Sequence, residues 1–76
     1  QYGYKQSYKK AAELFSSAAE KGHARSQFNL AMFYYDGRGV EKSIDKMVFW
    51  LKKAEASGMP EAAAALKEIQ KIIADK

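Results

Sequence analysis

The chain is 76 residues long, carries a formal net charge of +4 with a pI near 9.4, and has no cysteine. That length suffices for one domain burying only about 60% of its unfolded surface, and the lack of cysteine excludes disulfides and thiolate metal ligation. No apolar run approaches the roughly 18 residues of a membrane-spanning helix. The 13 lysines and arginines alternate with acidic residues along the chain, the pattern of a solvated mixed-charge surface rather than of a phosphate-binding strip.

Over residues 7–21, Tyr8, Ala11, Ala12, Phe15, Ala18 and Ala19 recur at intervals of three and four, with Lys9, Lys10, Glu13, Ser16, Ser17 and Glu20 on the other side. This is the spacing of an amphipathic helix. Gly22 ends it, because glycine takes the left-handed conformation after a helix C-terminus at least cost. A second helix is expected over 24–35, with Phe28, Ala31, Met32 and Tyr35 in one stripe and Leu30, Phe33 and Tyr34 over much of the remainder. Such a helix must be covered on two sides. Residues 36–40 form a connector in which Gly37 and Gly39 permit positive φ and Val40 is placed to fold back on the helix just ended.

Ser43 suits the N-cap of a third helix, and Asp45 sits in its first turn, where negative charge favours the helix dipole. Ile44, Met47, Val48, Trp50, Leu51 and Ala54 give its buried stripe down to Gly58. Pro60 opens a fourth helix at a position that needs no amide hydrogen. It runs to about Ala74, with Ala62, Ala65, Leu66, Ile69, Ile72 and Ile73 as a single apolar stripe and one side facing water.

Gly22 and Gly58 lie 36 positions apart, and sliding the chain by that distance restores much of the pattern: Ser7 falls on Ser43, Lys10 on Lys46, Leu14 on Trp50, Ala18 on Ala54 and Leu30 on Leu66. The chain therefore reads as an all-α protein, a superhelix fragment of two antiparallel helical hairpins, with repeats at 7–42 and 43–76. Repeat units bury their apolar faces only against neighbours and offer an extended surface to a partner. Where the second helix has Ala31, Met32, Tyr34 and Tyr35, the fourth has Lys67, Glu68, Gln70 and Lys71, so the array ends in a polar-faced cap. Gly3 and Tyr4 match Gly39 and Val40; residues 1–6 read as the remnant of a connector, with more repeats expected upstream. The first helix would then present an uncovered apolar flank around Tyr4, Tyr8 and Phe15, open to self-association.

The run Ala18, Ala19, Glu20, Lys21, Gly22, His23, Ala24, followed by Gln27, Asn29 and Leu30 and then by Tyr34, Tyr35, Asp36, Gly37, Arg38, Gly39 and Val40, resembles the Sel-one-like repeat, a relative of the tetratricopeptide repeats. Trp50, four residues before Ala54, fits that family's first-helix tryptophan; Leu14, Met47, Glu55, Met59 and Pro60 depart from its usual residues. The resemblance covers residues 3–69. It implies a tetratricopeptide-like solenoid and a protein-interaction adaptor or scaffold, with no catalysis and no cofactor.

Phe49 breaks the pattern, standing opposite the Met47 stripe between Lys46 and Lys53, where the first unit has Glu13. In related superhelices the first helix of each pair lines the concave surface. A patch of Lys46, Phe49 and Lys53 beside Lys10, Glu13 and Ser17 is thus the candidate site for a protein or peptide partner. Ser7 with Lys10 and Ser43 with Lys46 repeat the serine, two residues, lysine spacing of some hydrolases, but the duplication assigns both serines to helix caps. Residues 37–43 resemble a phosphate-binding loop only in ending with Lys42 and Ser43; Glu41 replaces the critical glycine, and a helix rather than a strand precedes it. His23 has no second ligand pair and belongs to a turn, so no metal site is read. Phe33, Tyr34 and Tyr35 are assigned to the core rather than to base stacking, which disfavours nucleic acid; the alternatives to a protein-interaction module are a binding module for acidic ligands or RNA, supported only by the charge balance, and a purely structural capping end of a longer array.

Overall fold

The apolar stripes are arranged in four helices: α1 (Tyr4–Glu20), α2 (Ala24–Asp36), α3 (Ile44–Ala56) and α4 (Pro60–Ala74). The structure, a computed structural model, describes residues 4–74, with side chains from residue 7. Each helix packs on the next, α1 on α2, α2 on α3 and α3 on α4, in a slab of 38 × 29 × 16 Å. No strand occurs among the described residues. α1 begins at Tyr4, three residues before the expected Ser7, so residues 4–6 are its first turn rather than connector; residues 1–3, including Gly3, lie outside the described residues.

The two hairpin turns use the same device, 36 residues apart. Gly22 at φ +93° and Gly58 at φ +92° end α1 and α3. The His23 N–H donates to the Ala18 carbonyl at 3.2 Å and the Gly22 N–H to Ala19 at 3.0 Å; the Met59 N–H donates to Ala54 at 3.2 Å and the Gly58 N–H to Glu55 at 2.9 Å. These bonds satisfy carbonyls a helix end leaves open. At the start of α3 the Ser43 hydroxyl accepts the Lys46 N–H at 3.2 Å, as its residue type predicted. Ser7 differs from its repeat partner: it lies inside α1 and caps nothing.

The core runs along α2, α3 and α4: Ala31, Met47, Leu51, Ala54, Ala62 and Leu66 are buried together, with Phe28, Met32, Tyr34, Val48 and Trp50 partly buried against them. Leu30 is also fully buried. α1 joins through aromatic rings, Tyr8 and Phe15 each meeting Phe33 edge to face at 5.9 and 5.3 Å. The flank expected to be bare at Tyr8 and Phe15 is therefore the covered one. The uncovered residue of α1 is Leu14, 71% exposed; the Tyr4 side chain lies outside the described residues.

Three stripes are covered for less than their full length. Tyr35 at the end of α2 and Ile44 at the start of α3 are exposed, as are Ile72 and Ile73 in the last turn of α4. In an antiparallel row these positions share one end of the slab. α4 has 15 residues against 13 in α3, so its last turn outruns its neighbour.

Candidate interaction surface

On α3 the buried residues Met47, Leu51 and Ala54 fix which way the helix faces, and residues on the opposite side of the helix are turned outward. Lys46, Phe49 and Lys53 are all exposed. The Lys53 ammonium stands 5.3 Å from the centre of the Phe49 ring, and that ring meets Trp50 edge to face at 5.0 Å. Trp50 reaches back to the core on its other side, so Phe49 rests on a rigid neighbour while half exposed. Lys46 is turned to a different ring, its ammonium 5.6 Å from the centre of Tyr34 on α2.

The α1 half is differently built. Lys10, Glu13 and Ser17 are exposed, and the latter two border a shallow hollow of about 360 Å³ closed by Gly39 and Val40. A second hollow of about 550 Å³ lies between Tyr8, Lys9 and residues 37–41. The connector thus folds against α1, and Val40, expected on α2, is half-buried beside α1. Arg38 is held over the Tyr8 ring at 5.3 Å and paired with Asp36 at 3.1 Å. The candidate residues fall into a Phe49–Lys53 pair, a Lys46–Tyr34 pair, a Glu13–Ser17 hollow and an exposed Lys10 apart from it, on two helices that both pack on α2.

Three amides of the 37–43 segment are engaged within the chain. The Gly37 and Arg38 N–H groups both donate to the Phe33 carbonyl, and the Ser43 N–H to the Tyr34 carbonyl. His23 is an exposed turn residue before α2. Of Phe33, Tyr34 and Tyr35, the first two are half-buried and packed; Tyr35 is exposed. Among the described residues no three His, Cys, Asp or Glu side chains gather where they could hold a metal ion, and no helix is long and apolar enough to cross a membrane.

One polar residue matters more than its place in the sequence suggested. Gln27 is buried, 3% exposed; its Nε2 donates to the Ala19 carbonyl at 3.0 Å, and its Oε1 accepts from the Ser57 hydroxyl at 3.5 Å. It ties the last turn of α1 to the end of α3. The signal available was an amide one turn ahead of the buried Leu30 and Ala31.

Antiparallel helical hairpins, closed by matching glycine turns one period apart, define a helical-repeat protein. The Sel1 repeat family matches residues 1–23 and 24–59, and the chain belongs to that family. The second match is one full period and divides the repeat at Ala24. The chain is 38% identical over 60 residues to chitin synthase regulatory factor 3 of Schizosaccharomyces pombe, covering 79% of this chain and 6% of that protein. It is 35% identical over 58 residues to the ERAD-associated E3 ubiquitin-protein ligase component HRD3A of Arabidopsis thaliana, covering 75% of this chain and 9% of that protein. The chain thus spans under a tenth of the length of either relative. No solved structure matches it significantly.

Proposed function

We propose that this chain is a non-catalytic protein-interaction module, of the adaptor or scaffold kind, that engages a protein or peptide partner through the outward faces of α1 and α3. Lys46, Phe49 and Lys53 form the principal contact, and Lys10, Glu13 and Ser17 flank it. The observation that carries the reading is Phe49, an aromatic 51% exposed in the middle of a helix whose Met47 and Leu51 are fully buried. Exposed aromatics braced by rigid neighbours are where interface energy concentrates. The relatives support the same reading: one is named a regulatory factor and the other a component of a ligase.

Affinity capture from a cell extract, run with the wild-type chain and with Phe49→Glu, tests this. The variant is expected to lose its partner while circular dichroism shows unchanged helicity. Equal capture by both proteins would remove the α3 patch from the interface.

Leu14 favours a second contact. It occupies the repeat position of Trp50, which is half-buried, yet is itself 71% exposed. A flank so open is suited to self-association when no other helix covers it.

A further inference from the structure

The charge on α3 specifies what kind of partner the Phe49 surface takes, given that the interaction reading holds. Between residues 45 and 53 the helix carries Lys46, Lys52 and Lys53 against a single carboxylate, Asp45. Among the described residues the ion pair present is Arg38 with Asp36; Lys46 and Lys53 have rings beneath them instead, Tyr34 at 5.6 Å and Phe49 at 5.3 Å. A ring positions an ammonium without neutralising it. The corresponding residues of α1, 9–17, set Lys9 and Lys10 against Glu13, a smaller basic excess than on α3.

Lys46 and Lys53 are seven residues apart, about 10 Å along the helix axis, and Phe49 lies between them. In an extended peptide, side chains on one side recur about every 6.6 Å. An acidic residue, any residue, an apolar residue, any residue and a second acidic residue therefore spread two carboxylates over about 13 Å. Two flexible lysine stems can span that distance. We infer that the α3 stripe binds an extended acidic segment of a protein partner, its two carboxylates on Lys46 and Lys53 and the apolar side chain between them on Phe49. A nucleic-acid strand would need successive aromatic platforms for its bases, and the stripe has one.

The probe is an end-blocked pentapeptide of glutamate, serine, leucine, serine and glutamate, titrated into the isotope-labelled chain and followed by amide chemical shifts. Companion peptides carry glutamine for both glutamates or serine for the leucine, and an oligouridylate forms the remaining arm. Shifts are expected at residues 46–53, with binding weakened about threefold by either Lys46→Gln or Lys53→Gln and further by added salt. The spectra also report whether each variant is folded. Equal binding of the glutamine peptide would overturn acid recognition while leaving the interaction surface standing. Absence of shifts at 46–53 with the glutamate peptide, or their appearance only with oligouridylate, would overturn the proposal as well. The broader reading falls separately, through unchanged partner capture by Phe49→Glu.

Discussion

At Gly39 the connector lies directly on the backbone of α1. A Cβ there would overlap the Tyr8 carbonyl and approach the Lys9 amide nitrogen within 2.8 Å, and φ is +68°. Gly58 has a positive φ of +92° but open space where its Cβ would go. The two positions separate backbone strain from collision. Gly58→Ala is expected to cost about 1 kcal/mol, the left-handed penalty alone. Gly39→Ala adds a clash with main chain that cannot yield, and at least about 2–3 kcal/mol is expected. Urea denaturation of both variants measures the difference; equal losses would mean that the connector lifts off α1 freely. The sequence marked both glycines as turn residues. It could not rank them, because the ranking depends on an α1 backbone about thirty residues away.

α1 is held to the rest of the chain through Phe33, where the Tyr8 and Phe15 rings converge, through the buried Ala12 and Ala19, through the connector at Gly39 and through the Gln27 bond to the Ala19 carbonyl. The α2–α4 cluster has its own core in Met47, Leu51, Ala54 and Leu66. Repeat arrays have stabilities that are nearly sums of unit and neighbour terms, so the ends can open alone. Phe33→Ala is expected to destabilise by about 2–4 kcal/mol, with native-state amide exchange accelerating in α1 well before α3. Uniform acceleration across all four helices would show that the slab opens as one unit. The periodicity of α1 was legible in the sequence, and so was the need to cover α2 on both sides. Helical spacing also put Tyr8 and Phe15 in the apolar stripe of α1 and left Leu14 off it; what spacing did not supply is that Phe33 of α2 covers that stripe.

The whole molecule is open for its size. Its accessible surface is 5541 Å², against roughly 4,700 Å² for a compact monomer of this mass, as expected of a row in which, among the described residues, α1 packs on α2 and α4 on α3. At the α1 end this leaves Leu14 bare, so sedimentation of the wild-type chain is expected to show concentration-dependent association that Leu14→Lys abolishes at unchanged helicity; a wild-type chain monomeric throughout would remove that contact. At the α4 end Lys67, Glu68, Gln70 and Lys71 already make the outer face polar. The 36-residue period, the four helices, the glycine turns, the Ser43 cap and the family were all readable in the sequence, because each rests on local spacing or on a single residue's backbone preference. Tertiary structure alone decided that the connector lies on α1, that Gln27 is buried as a tie between helix ends, and that Lys46 and Lys53 stand over different rings. Those outcomes depend on distances between segments far apart in the chain, and helical periodicity gives the facing of each helix without saying which neighbour it meets.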